Sequence, residues 1–202
     1  FLGGKVRIAS MPILSSMILS KVFHDFREKY PFVTLELIEG STPEIRKMVE
    51  DHQVDFGFTS SPFGDLDAEI VLQDQMVAIS KDPLQELPID LHRTDYKFIL
   101  CRAGYETVVE ELQSEKVKLH GSFIVQQAET VIHFVAEENG IGVISAFVLA
   151  ATPNDLCRSP VTPEIKMDIG LVANDLDDLT PVATALVNMI REECERSQQA
   201  KG

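Results

Sequence analysis

Between Lys5 and Ser10 polar and apolar residues alternate, with Val6 and Ile8 on the inward side, and from Leu14 the period lengthens to that of a helix. In that helix Leu19, Val22, Phe23, Phe26 and Tyr30 recur at three- and four-residue spacing, one apolar face, and Pro31 stops it. Val33 to Glu39 reads as a second strand and Gly40-Ser41 as a turn. Thr42-Pro43 then reads as an N-cap followed by proline at the first helical position, ahead of a buried stripe of Ile45, Met48 and Val49. Val54 to Phe58 makes a third strand, so the first third of the chain is β-α-β-α-β with short connections. That order predicts a parallel doubly wound sheet with right-handed crossovers.

Ile70 to Ser80 is a long extended stretch, with Val71, Leu72, Met76, Val77 and Ile79, and it carries the chain into a second lobe near Ser80. A second α/β series follows: strand at Lys97 to Cys101, helix at Tyr105 to Glu115, strand at Ser122 to Gln126, helix at Glu129 to Asn139, strand at Ile141 to Ile144. Gly140 reads as the C-cap of the helix before it. Ile165 to Val172 alternates again, and Thr180-Pro181 repeats the cap-plus-proline signal before a terminal helix with Val182, Leu186 and Ile190 on one face.

The 202 residues, 45% of them hydrophobic, suffice for two small lobes with buried cores. A formal net charge of -14 predicts repulsion from phosphate backbones, so this chain should not bind DNA by itself. The basic clusters Arg46-Lys47 and Lys116-Val117-Lys118 read as solvated helix faces. Cys101, Cys157 and Cys194, odd in number and widely spaced, fit reduced thiols of a cytoplasmic protein. No apolar run approaches the roughly 18 residues of a membrane span. The opening Phe1-Leu2-Gly3-Gly4 has no signal-peptide pattern and no initiator Met, which suggests a piece of something longer.

In open α/β sheets ligands bind beyond the carboxyl ends of the strands. Those positions here are Ser10-Met11, Ser41-Thr42 and Thr59-Ser60-Ser61, with Arg102, Gln126-Gln127 and Thr130 in the second series. Taken singly, each serine or threonine is equally served by a local cap or turn role; their convergence points to a ligand. Helix N-termini aimed at one crevice suit a carboxylate, and Arg102 could pair with it bidentately. Catalytic readings are weaker. Ser145 lies in Gly142-Val-Ile-Ser-Ala-Phe147, which is not a nucleophile elbow. His24, His52, His92, His120 and His133 show no metal-ligand spacing. Gly140-Ile-Gly142 and Gly3-Gly4-Lys5 lack the context of nucleotide loops, so neither metal nor cofactor is expected. Cys101, beside Arg102 at a strand end, is the one candidate redox thiol or nucleophile.

Four segments carry a family likeness in order and at family spacing: Gly4-Lys-Val-Arg-Ile-Ala9, Phe26-Arg-Glu-Lys-Tyr-Pro-Phe-Val33, Glu36-Leu-Ile-Glu-Gly-Ser-Thr42 and Val54-Asp-Phe-Gly-Phe58. Met76-Val-Ala-Ile-Ser80 and Val135-Ala-Glu-Glu-Asn-Gly-Ile-Gly142 support it. On these segments the chain resembles the effector-binding domain of LysR-type transcriptional regulators over essentially its whole length. The resemblance implies two Rossmann-like lobes with a central cleft, a fold like type 2 periplasmic binding proteins. It also implies that the terminal helix returns to the first lobe, giving lobes at 1–80 plus 175–202 and at 81–174. Effector contacts carried over by motif fall at Ser10 to Leu14, Ser41-Thr42, Thr59 to Ser61 and Gln127 to Thr130. Met11, Ile13 and Leu14 stand where many relatives place Ser, Thr or Gln, which implies an effector with an apolar part. Ser20 replaces a frequent Pro, and Glu138 sits where Gly is common.

The expectation is therefore a non-enzymatic regulatory domain that holds a small anionic or zwitterionic metabolite between its lobes. Its candidate contacts are Ser10, Met11, Ile13, Ser41, Thr42, Thr59, Ser60, Arg102, Gln127 and Thr130. By the same resemblance the protein is a homodimer, assembling to tetramers at full length, and meets DNA only through a winged helix-turn-helix preceding Phe1. Two rivals share the fold: an exported solute-binding protein, and an enzyme acting on a small acid through a cleft Cys or carboxylate.

Overall fold

The structure, a computed structural model, describes residues 3–101 and 121–200. The chain divides into two compact units, one formed by Phe1–Gln73 with Asp168–Gly202 and the other by Asp74–Met167.

Unit 1 opens with strand β1 (Gly4–Ser10), whose end passes directly into α1 (Pro12–Leu14), a π-helical segment at Ser15–Leu19, and α2 (Ser20–Lys29). The helix begins at Pro12 because proline's fixed φ and missing N–H suit a first turn. Leu19, Val22 and Phe26 are buried on its inner face, and Tyr30 ends it with its N–H on the Phe26 carbonyl at 2.8 Å. Strand β2 (Val33–Glu39) pairs parallel with β1 from Gly4 opposite Val33 to Ser10 opposite Glu39. Helix α3 (Thr42–Glu50) returns the chain to β3 (Phe56–Ser60), parallel to β1 on its other side.

Strand β4 (Asp67–Ser80) leads into unit 2. There β5 (Ile89–Asp90) and β6 (Phe98–Cys101) precede β7 (Gly121–Val125), α4 (Ala128–Ala136), β8 (Ile141–Ser145), α5 (Ala146–Ala151), β9 (Cys157–Ser159) and β10 (Val161–Thr162). In the unit 2 sheet β6 pairs parallel with both β7 and β8, and β4 pairs antiparallel with β8 and β9. The helix expected at Tyr105 to Glu115 lies outside the described residues. Strand β11 (Lys166–Ala173) brings the chain back, pairs antiparallel with β3, and is followed by the long helix α6 (Pro181–Gln199). Within unit 1, α6 packs on α2 and is tied to the start of β4 by a forked pair, Arg191 Nε and Nη2 to the Glu69 carboxylate at 2.8 and 2.7 Å.

Three expectations change. The division falls at 73/74 and 167/168 rather than at 80/81 and 174/175, so most of β11 belongs to unit 1. The reason is that β4 is one unbroken strand of 14 residues, with no turn residue to mark the passage. The N-cap of α3 is Ser41 rather than Thr42: the Ser41 N–H and hydroxyl both donate to the Glu44 carboxylate, at 2.8 and 2.9 Å, in a capping box. Those bonds hold the Glu44 carboxyl below the usual carboxylate range. Finally, α4 is closed by Glu138, not Gly140. Glu138 stands in the left-handed region at φ 59, with its N–H on the Val135 carbonyl at 3.0 Å and the Asn139 N–H on that of Phe134 at 3.1 Å. Gly140 has a different duty: a Cβ there would lie 2.2 Å from the Lys97 carbonyl oxygen.

The cores are apolar. Ile8, Phe26, Phe56, Phe58 and Ile45 are fully buried in unit 1, and Ile79, Ile89, Leu91 and Phe98 in unit 2. Gly57 in β3 lets α3 approach closely, since a Cβ would stand 2.7 Å from Ile45 Cγ2 and 2.9 Å from Val172 Cγ2. Gly57→Ala is accordingly expected to destabilise by about 1–3 kcal/mol through overpacking, read as a lower urea midpoint. A neutral result would mean that α3 shifts freely over the sheet. Glu138→Gly should stabilise by about 1 kcal/mol, because glycine adopts the left-handed cap without the cost of a Cβ. A fall in thermal midpoint would refute that account of the turn.

Candidate functional site

At the carboxyl ends of β1 and β3 the chain gathers small polar side chains inside an apolar surround. The Ser10 carbonyl accepts from the Gly40 N–H at 3.2 Å, and the Met11 N–H donates to the Phe58 carbonyl at 3.2 Å. These two backbone bonds fix the start of α1 beside the end of β3. The Ser10 and Ser15 hydroxyls both donate to the Met11 carbonyl, at 3.1 and 3.3 Å.

Thr42, the first residue of α3, is 2% exposed and directs its hydroxyl to the end of β3. Its Oγ1 lies 2.8 Å from Thr59 Oγ1, 3.1 Å from Ser60 Oγ and 3.8 Å from Met11 Sδ. A hydroxyl carries one proton and two lone pairs. If Thr59 and Ser60 both donate to Thr42, the Thr42 proton is left to the weak sulfur acceptor. If Thr42 instead donates to one neighbour, that neighbour keeps a proton for something else. The three hydroxyls can thus present either donors or acceptors without moving a heavy atom.

Among the sequence-predicted residues, unit 1 brings Ser10, Met11, Thr42, Thr59 and Ser60 together as buried groups, with Ser41 and Ile13 half-buried beside them. In unit 2, Gln127 is the exposed N-cap of α4 and its carbonyl accepts from the Thr130 N–H at 3.1 Å, so these two share the helix's first turn. Arg102 lies outside the described residues. The Cys101 thiol is buried and donates to the Gln126 carbonyl at 3.4 Å. Burial, together with Glu193 and Glu195, pushes the Cys194 thiol up to about 12, which leaves it inert at neutral pH. No group of three metal-ligating side chains occurs among the described residues.

Sequence reasoning missed one feature of unit 2. Asp74, 3% exposed, accepts from the Gln75 N–H at 2.7 Å, from the Phe147 N–H at 3.3 Å, and from the Ser145 hydroxyl. Ser145 itself caps α5, accepting from the N–H groups of Phe147 and Val148 at 3.1 and 3.3 Å. The signal was available: Leu72, Asp74 and Met76 share one side of β4, and all three are buried. Ser145→Ala removes a cap and a donor to a buried carboxylate, so a loss of about 1–3 kcal/mol is expected, measured by urea unfolding. An unchanged midpoint would show that other donors satisfy Asp74.

The architecture, two α/β units joined through long strands, is that of the type 2 periplasmic-binding-protein-like fold. The structure superposes with a TM-score of 0.79 on the CcmR regulatory domain of Synechocystis PCC6803 in complex with 2-PG, at 18% identity, covering 94% of this chain and 96% of that one. It superposes equally, at 0.79, on the effector-binding domain of a BenM variant, at 17% identity and 96% coverage of both chains. The family model of the LysR substrate binding domain matches residues 2–195, and the chain belongs to that family. It is 35% identical over 195 residues to the uncharacterized HTH-type transcriptional regulator YoaU of Bacillus subtilis (strain 168), spanning 94% of this chain and 67% of the relative. The family consists of transcriptional regulators and not enzymes, and this domain is its effector-sensing part. No helix among the described residues is long and apolar enough to cross a membrane.

Proposed function

We propose that the chain senses a small anionic or zwitterionic metabolite at the carboxyl ends of its sheet strands and thereby governs transcription by a full-length cytoplasmic regulator. In unit 1 the contacts are Ser10, Met11, Ile13, Ser41, Thr42, Thr59 and Ser60; in unit 2 they are Arg102, Gln127 and Thr130. The observation that carries the reading is the hydroxyl cluster of Thr42, Thr59 and Ser60, buried beside Met11 where the fold's ligands are received. Ile13, half-buried beside the buried Met11, offers apolar surface at the same place, which suits an effector with a carbon skeleton of some length.

Control follows from differential affinity. An effector that prefers one state of the regulator shifts the population toward it by that preference alone. DNA contact belongs to a winged helix-turn-helix outside these residues, since a net charge of -14 opposes phosphate binding here. The working assembly is a homodimer, with tetramers at full length.

A thermal-shift screen of amino acids, organic acids and aromatic carboxylates tests the reading. Ligand at 100 times its Kd stabilises by about 2.7 kcal/mol, and at this chain length each kcal/mol moves Tm by roughly 2–4 °C. One chemical class should raise Tm and be recovered unchanged. Thr42→Val should then weaken that ligand by about tenfold, one hydrogen bond's worth, with the fold retained. Recovery of an altered compound would overturn the sensor reading, and unchanged affinity by calorimetry would remove Thr42 from the site.

A further inference from the structure

Strand β4 loses its neighbour partway along unit 2. Ala78, Ile79 and Ser80 pair with Ser159, Arg158 and Cys157 of β9, and the Met76 N–H is then met by the Ile165 carbonyl at 2.9 Å. Between those two points the chain pairs instead with β5, Val161 opposite Ile89 and Thr162 opposite Asp90. Residues 160–164 thus bow away from β4, and the opening beside Gln75, Met76 and Val77 is a cavity of about 410 Å³ that lies wholly within unit 2.

The cavity joins an apolar base to a charged rim. Met76, Val77 and Val161 are buried, with Pro160 beside them, while Gln75, Arg158 and Glu164 supply its polar groups. The Arg158 side chain is exposed and enters no ion pair or hydrogen bond among the described residues. Glu164 has Oε1 at 3.3 Å from Lys166 Nζ, which leaves Oε2 for another donor. A volume of this size, mostly apolar with a few polar groups, is that of a small-molecule pocket.

The two charges narrow the class of ligand. A plain carboxylate would gain from the Arg158 fork and be repelled by Glu164, and a plain amine would meet the reverse. A zwitterion satisfies both. The reach is also right: Arg158 stands opposite Ile79, and Ile165 is bonded to Met76, so three residues of β4, about 10 Å at strand rise, separate the two anchor points. Two long side chains close that span to the separation of an α-carboxylate and its ammonium.

We propose that this cavity binds an apolar α-amino acid, its carboxylate on Arg158, its ammonium on Glu164 and its side chain on Met76, Val77 and Val161. The site is separate from the strand-end cluster, none of whose residues line it, and the proposal does not depend on what that cluster binds.

The test is NMR of the chain carrying 13C-labelled methionine ε-methyl groups, titrated with L-leucine, L-phenylalanine, 4-methylpentanoate and 3-methylbutylamine. Met76 reports the cavity and Met11 the strand-end cluster; Met76→Leu and Met11→Leu assign the two resonances. The expected result is a saturable shift of the Met76 methyl with at least one of the two amino acids, and responses about tenfold weaker from the analogue lacking the ammonium and the one lacking the carboxylate. Arg158→Gln should weaken the amino acid about tenfold. Glu164→Gln should weaken it as well while strengthening 4-methylpentanoate, because the repulsion is gone. Both side chains are exposed, so the fold is retained, which an unchanged Tm shows. A Met76 methyl unmoved by either amino acid overturns the proposal, as does a shift that neither Arg158→Gln nor Glu164→Gln alters. If Met11 alone responds, the cavity is not the site and the strand-end reading stands. If 4-methylpentanoate moves Met76 as readily as L-leucine does, the zwitterion assignment is overturned.

Discussion

The close approach of α3 to β3 at Gly57 governs the chemistry of unit 1. Ile45 and Val172 occupy the space a side chain at 57 would need, so the helix lies directly against the strand. That contact sets the height at which α3 starts, and so brings the Thr42 hydroxyl to 2.8 Å from Thr59. The parallel register of β1 with β2 and β3 then places the Ser10 and Met11 backbone at the same edge. Hydroxyls that are distant in sequence share a site because one residue lacks a Cβ.

Much of this was legible because unit 1 alternates its periods cleanly. The change from period two at Val6 and Ile8 to helical spacing at Leu19, Val22 and Phe26 marks a strand and a helix without help from tertiary structure. Serines and threonines at strand ends pointed to the edge where Thr42, Thr59 and Ser60 meet, the edge that doubly wound topology assigns to ligands. Which hydroxyl caps α3 was not legible. Ser41 and Thr42 are both good caps by type, and the choice is made by Glu44, which stands three residues after Ser41 and closes a box with it.

The unit boundary escaped for a different reason. A strand that passes between units is as apolar as one that stays within its own, so β4 offers no break in pattern at 73/74. Asp74 escaped for the converse reason: one carboxylate in an apolar run is easily passed over, although the alternation that buries Leu72 and Met76 must bury it as well. Glu138 shows a third limit, for a residue that disfavours the left-handed region still closes α4 when the Phe134 and Val135 carbonyls need donors.

The two units handle buried polarity by opposite means, and the contrast bears on where a ligand can be recognised. In unit 2 the buried charge of Asp74 is met inside the protein by the Ser145 hydroxyl and by the N–H groups of Gln75 and Phe147. A carboxylate so supplied has a structural duty, since each donor it holds is one that a ligand cannot use. In unit 1 the buried groups are neutral hydroxyls bonded to one another, whose protons can be redirected without moving the backbone. A cluster of that kind is inexpensive to keep in the unliganded state and adjustable on binding. Neutral, redirectable hydroxyls at the carboxyl ends of the strands can meet a ligand's donors or acceptors alike, so what they select is the shape and hydrogen-bonding pattern of the group set against them.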